Sequence, residues 1–187
     1  MSHLSIAVPD WLTAKVAGVT TLADTDERMR FAVDLSRENV ERGTGGPFGA
    51  AIFEVEHGAL VAAGVNLVEH GANSVLHAEI VAIMLAQRAV GSYTLAQAGL
   101  PKYELVTSST PCAMCLGAIL WSGVSRVVCG ARTEDVQAIG FDEGPVFSES
   151  FDHLRKRGIE VVRDVLRSEA RAVLDEYARK GGTIYNR

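Results

Sequence analysis

The sequence predicts a three-layer α/β/α domain, a mixed sheet with helices on both faces. Two short strand-like runs joined by a tight turn open the pattern, and strands then alternate with helices. Two of those helical segments are almost continuously apolar, as helices buried against a sheet must be. At 187 residues and 48% hydrophobic side chains, one core forms without disulfides or a structural metal.

The elements follow in order. Residues 1–22 lack sustained periodicity and read as an extension packed on the domain. Asp24 and Glu27 offer a helix N-cap with its reciprocal partner, and Met29, Ala32, Val33, Ser36 and Val40 recur at helical spacing. Gly43, Gly45, Gly46 and Pro47 stop that helix. A strand over Phe48–Val55, the turn Glu56-His57-Gly58 and a strand over Leu60–Val68 make a hairpin. A buried helix is expected over His77–Val90, a strand over Glu104–Ser108, a second buried helix over Ala113–Ser122 and a strand over Arg126–Gly130. Thr133–Ile139 and Ser148–Arg157 read as surface helices. Ile159–Leu166 is a last strand, and Ser168–Lys180 closes as an amphipathic helix.

Charge and targeting exclude several classes of partner. The net charge is −5, so a basic nucleic-acid footprint is missing. Arg155-Lys156-Arg157 reads as a solvated helix end. No apolar run approaches the roughly 18 residues of a membrane span. The first eleven residues carry no Lys or Arg ahead of an apolar stretch, so a cytoplasmic location is expected. Three cysteines in such a chain, two of them as Cys112-x-x-Cys115, point to metal or redox chemistry before a structural disulfide.

His77-Ala78-Glu79 and Pro111-Cys112-Ala113-Met114-Cys115 carry the chemistry. In mid-helix, residues two apart diverge by about 200°. His77 and Glu79 therefore converge only if His77 stands at the helix entrance, which the turn-prone Asn73-Ser74 supports. Cys112 and Cys115 are three apart and share one side of a first turn, and Pro111 suits its entrance. Helix N-termini favour anions, so both thiols ionise more easily there. One imidazole and two thiolates suit Zn²⁺ and leave a fourth position for water, the mark of a catalytic site. Glu79 is then the proton shuttle rather than a ligand. His-x-Glu followed by Pro-Cys-x-x-Cys is the signature of zinc deaminases.

Over about residues 25–140 the chain resembles the zinc-dependent cytidine deaminase superfamily, and within it the bacterial guanine deaminases. The resemblance also rests on Gly45-Gly46-Pro47-Phe48-Gly49-Ala50, Gly64-Val65-Asn66 and Ala138-Ile139-Gly140-Phe141-Asp142-Glu143-Gly144. It implies a cytidine-deaminase-like fold, one Zn²⁺ per chain on His77, Cys112 and Cys115, a homodimer, and hydrolysis of guanine to xanthine and ammonia in purine catabolism. It further implies that Asn66 hydrogen-bonds the purine, that Phe48 walls the flat base, and that the Ala78 amide helps orient the ring. An acid from the 141–144 segment meets the donor edge of guanine. Glu143 is favoured as this second acid, with Asp142 its rival.

By the same reading the domain spans 1–187, with an N-terminal extension over about 1–23 and a C-terminal segment over about 141–187 closing the active site. Other amines remain open: guanosine, an amino-triazine such as ammeline, cytosine or tRNA adenosine. A zinc-stabilised scaffold is the non-enzymatic alternative. Cys129 in Val127–Gly130 reads as a core thiol, and core is also the expectation for Trp121. His3, His57, His70 and His153 lack metal-ligand spacing.

Overall fold

The computed structural model describes residues 6–186; His3 lies outside them. Five strands, β1 (Gly49–Glu54), β2 (Leu60–Val65), β3 (Tyr103–Ser109), β4 (Arg126–Ala131) and β5 (Glu160–Val162), form one sheet in the order β2-β1-β3-β4-β5. The β1–β2 hairpin is antiparallel, β1 also runs antiparallel to β3, and β3, β4 and β5 are parallel. The described helices are α1 (Asp10–Ala17), α2 (Thr25–Glu41), α3 (Ala78–Val90), α4 (Ala113–Ser122), α5 (Thr133–Ala138), α6 (Ser148–Lys156) and α7 (Arg167–Arg179).

Two glycines show how the layers meet. Ala50 pairs with Gly64, so Gly49 and Gly64 face opposite sides of the sheet. A Cβ on Gly49 would stand 2.4 Å from the Ala32 carbonyl of α2, and one on Gly64 would stand 2.5 Å from the Ala78 carbonyl of α3. Helices therefore lie close on both faces, as the alternating pattern predicts. The α2 side also buries Glu104, whose carboxylate accepts from Arg28 at 2.6 Å and from Arg126 at 2.7 Å. Arg28 also donates to the Leu22, Ala23 and Val55 carbonyls. The charge thus ties the entrance of α2 to β3 and β4.

The helix start read at Asp24 is present: its carboxylate accepts the Glu27 amide at 2.8 Å, and Glu27 in turn accepts the Ala23 amide. Cys129 is fully buried in β4, and His153 lies on exposed α6. Three expectations need correction. The N-terminal extension contains α1, whose buried Leu12 anchors eight residues, just over two turns and too short to show periodicity. The last strand stops at Val162, because Asp164 (φ 68°) and Leu166 (φ 48°) take left-handed conformations that end pairing. Trp121 is 78% exposed rather than core. Cys115, Leu116, Ile119 and Ser122 form the buried side of α4, and Trp121 falls off that face.

Candidate metal centre and catalytic pocket

The parallel crossover that carries the chain from β3 to β4 sets α4 beside α3, with both helix starts at one end of the sheet. His77 and Cys112 are the N-cap residues of α3 and α4, each with extended backbone. His77 can therefore swing toward the cysteines while Glu79 remains in the first turn. The His77 Nδ1 lies 3.5 Å from Cys112 Sγ and 3.7 Å from Cys115 Sγ.

These distances test the metal assignment. Tetrahedral zinc with ordinary Zn–S and Zn–N bonds separates sulfur from nitrogen by about 3.6 Å. The three ligand atoms all lie within 4.8 Å of one another. The donor set and spacing fit zinc, and Nδ1 is the nitrogen presented. The other cluster of three candidate ligand residues among the described residues, Glu54, Glu56 and His57, is an exposed hairpin group.

Without a cation the constellation shares protons. A hydrogen bond from Cys115, with further help from His77, lowers the Cys112 thiol to about 4. The Cys115 thiol rises as the donor to Cys112 and through its burial. Burial alone would depress His77, but its bond to Cys112 and the nearby charges of Glu79 and Glu143 outweigh that and raise it. A cation would take the place of these shared protons.

Around this centre the pocket is lined by Phe48, His77, Glu79, Ser109, Cys112, Glu143 and Tyr185. Burial, with the Cys112 charge adding to it, raises the Glu79 carboxyl. Burial also pushes Glu143 up to about 8, with Cys112 and Glu79 contributing. Two carboxyls, both raised chiefly by burial, thus share one pocket. The Glu143 carbonyl accepts the Ala113 amide at 3.0 Å, which docks its loop on the start of α4. Its neighbour Asp142 spends its carboxylate on the Gly144 amide at 2.8 Å and is not among the lining residues.

Asn66 is fully buried just beyond β2, and its amide donates to the Phe48 carbonyl at 3.0 Å. Its Oδ1 accepts the Gly46 and Val68 amides, leaving Nδ2 to donate to the Tyr185 hydroxyl at 2.7 Å. Ala78 is buried at the first position of α3. Phe141 stands between Phe48 and Tyr185, with ring centroids 5.2 and 5.0 Å away. A pair of bonds between residues 142 and 186, Asp142 amide to Asn186 carbonyl and Asn186 Nδ2 to Asp142 carbonyl, clasps the chain end beside Glu143.

Sequence reasoning passed over Tyr185 and Ser109. Ser109 had a signal, since it ends a strand immediately before the Pro-Cys turn, where such sheets bind ligands. Tyr185 had none; it lies in an irregular tail 119 residues from Asn66.

The sequence matches the cytidine and deoxycytidylate deaminase zinc-binding region over residues 23–131. It is 40% identical to a guanine deaminase of Bacillus subtilis, an alignment spanning 65% of this chain and 73% of that one. A solved guanine deaminase from Nitrosomonas europaea superposes with a TM-score of 0.90 at 45% identity, over 95% of this chain and 97% of the other. The structure of NE0047 in complex with 2,6-diaminopurine gives a TM-score of 0.92 at 46% identity, over 97% of this chain and 96% of that one.

Proposed function

Because the chain belongs to the cytidine and deoxycytidylate deaminase zinc-binding family, we propose that it hydrolyses guanine with water to xanthine and ammonia. The observation that carries this reading is Glu143, a buried carboxylate facing the same small pocket as Glu79 and the imidazole–thiol triad. Guanine presents N1–H and a 2-amino group as adjacent donors, and an acceptor-only carboxylate matches that edge. Adenine offers an acceptor at N1, where guanine has a donor, and so matches that carboxylate poorly. The relatives that act on guanine support the same choice.

His77, Cys112 and Cys115 would hold zinc, which when bound would supply Lewis acidity to a water nucleophile at neutral pH. Glu79 takes the proton that this water gives up and returns it to the ring nitrogen beside the reacting carbon. Glu143 accepts from the amine edge, then takes the remaining proton from the hydroxyl added to the reacting carbon and passes it to the departing nitrogen, so that ammonia leaves as the carbonyl forms. Asn66 Nδ2 donates to an acceptor on the far side of the ring, while Phe48 covers its face and the Ala78 amide borders the metal ligands. Asp142 acts through its backbone clasp on Asn186.

The C-terminal segment closes this site. With Tyr185 seated, the pocket holds a free volume of about 10 Å³, enough for one water and far too little for a purine. Tyr185 leaves Asn66 as the base enters, and the tail then folds back over the bound base. The working unit is a homodimer. Val75 and Met84 are exposed before and on α3, and α4 leaves the apolar Met114, Gly117, Ala118 and Trp121 partly or largely exposed. An apolar helix with an uncovered face supports a second copy as its cover. Among the described residues no helix is long and apolar enough to cross a membrane, and a cytoplasmic enzyme of purine catabolism keeps both ligand thiols reduced.

The deciding experiment measures ammonia released from guanine, guanosine, cytosine, adenine and amino-triazines such as ammeline, for the parent and for Glu143→Gln. Guanine should give the highest kcat/KM, and Glu143→Gln should lose it while keeping its zinc. A parent that prefers a nucleoside or a triazine overturns the substrate.

A further inference from the structure

The loop between α2 and β1 leads into Phe48 and packs on Asn66, yet Gly43, Gly45 and Gly46 give it almost no side chains of its own. At Gly45 and Gly46 closeness demands this, whereas Gly43 has open space and a positive φ of 63°. A Cβ on Gly45 would stand 2.0 Å from the Asn66 carbonyl and 2.8 Å from Asn39 Nδ2. Asn39, in the last turn of α2 and fully buried, holds the loop instead. Its Nδ2 donates to the Gly46 carbonyl at 2.8 Å and to the Asn66 carbonyl at 2.9 Å.

The orientation of that amide is set from outside. Trp11 Nε1 donates to Thr44 Oγ1 at 3.2 Å, and Thr44 Oγ1 lies 2.6 Å from Asn39 Oδ1. An indole N–H can only donate, so the Thr44 oxygen accepts there and its own proton goes to Asn39 Oδ1. This leaves the Asn39 NH₂ facing the two carbonyls. Gly46 is then gripped twice, its carbonyl by Asn39 and its amide by Asn66 Oδ1. With Oδ1 so engaged, Asn66 turns its Nδ2 to the hydroxyl of Tyr185, which itself lines the pocket.

We infer that Asn39 is a positioning residue which, locked by Thr44 and Trp11, fixes the Asn66 carboxamide with its NH₂ toward the base. The inference rests on the reading of Asn66 as a purine contact. Flipping the carboxamide would present an acceptor where the base has one, so loss of the lock weakens base binding rather than the zinc chemistry. Nothing in this chain of contacts touches His77, Cys112 or Cys115.

The test uses the zinc-loaded protein with guanine kinetics, zinc content and Tm, and 8-azaguanine titration in a Glu79→Gln background. Thr44→Val should raise KM and the 8-azaguanine Kd about tenfold, with kcat within about threefold. Thr44→Ser, which keeps the hydroxyl, should restore both. Asn39→Ala should act in the same direction, and its effect on kcat/KM should shrink to about twofold or less once Asn66 is already alanine. If Thr44→Val lowers Tm but leaves KM and Kd unchanged, the role is structural only and the inference fails. It fails likewise if Asn66→Ala is impaired but Asn39→Ala adds its full effect on top. An Asn66→Ala protein with normal KM removes the base contact itself, and the inference with it.

Discussion

Replacing Glu79 by glutamine separates proton transfer from metal binding in this pocket. Glutamine keeps the shape and one acceptor but neither takes nor returns a proton. The three converging ligand atoms belong to His77, Cys112 and Cys115, so zinc content should stay at the parent level. Loss of one positioned acid–base group costs about 10²–10⁴-fold. The upper end applies here, because Glu79 is 5% exposed and bulk water cannot deputise for it. In the proposed mechanism the same carboxyl also serves both water deprotonation and ring protonation. The expected loss in kcat is therefore about 10⁴-fold, or about 5.5 kcal/mol of barrier. Glu79→Asp should also be poor, since its carboxylate is set back by a methylene. The assay is continuous ammonia release on guanine, with zinc measured on the same preparation. A Glu79→Gln protein with full zinc and kcat within tenfold of the parent would refute the proton-shuttle role.

Cys112→Ser should lose zinc and activity together, read by metal analysis; a zinc-free variant with parental turnover contradicts the ligand set. Deleting residues 181–187 removes Tyr185 and should raise the KM for guanine without lowering zinc content, and an unchanged KM would argue against closure by the tail. Trp121→Glu puts a charge on the uncovered α4 face and should shift the mass found by light scattering from dimer to monomer, whereas a monomeric parent dismisses the dimer at once. Asp135, held below the usual carboxylate range by Arg167 at 2.8 Å, fastens α5 to α7. Its folded-state pKa is depressed, so its contribution is complete above the unfolded value near 3.9 and fades as pH falls through the lower folded one. The Tm gap between parent and Asp135→Asn should be widest near pH 7 and close below about pH 4; a gap that is flat with pH rejects the ion pair as its source.

The contact between Tyr185 and Asn66 marks how site assembly depends on long-range packing. Phe141 lies between Phe48 and Tyr185, and the bonds between residues 142 and 186 hold the tail against the loop that carries Glu143. The proposed closure over substrate and the placement of the Glu143 loop would therefore share one support. Removing the tail loosens both.

By itself the sequence determined whatever depends on neighbours along the chain. Strand–helix alternation specified the layers. A residue spacing of two at one helix entrance and three at another specified that His77 with Glu79, and Cys112 with Cys115, could each face one point. Local turn and helix geometry is short-ranged, so these directions follow from spacing alone. Only the tertiary structure decided which of two adjacent acids looks inward: Glu143 is buried in the pocket, while Asp142 closes a turn on Gly144. The same packing brought Tyr185 to Asn66, ended the last strand at Val162 and left Trp121 in the open. Each of those outcomes rests on how surfaces distant in sequence fit against one another. Periodicity records that a residue is apolar or charged, but the partner it meets is set by the docking of whole elements.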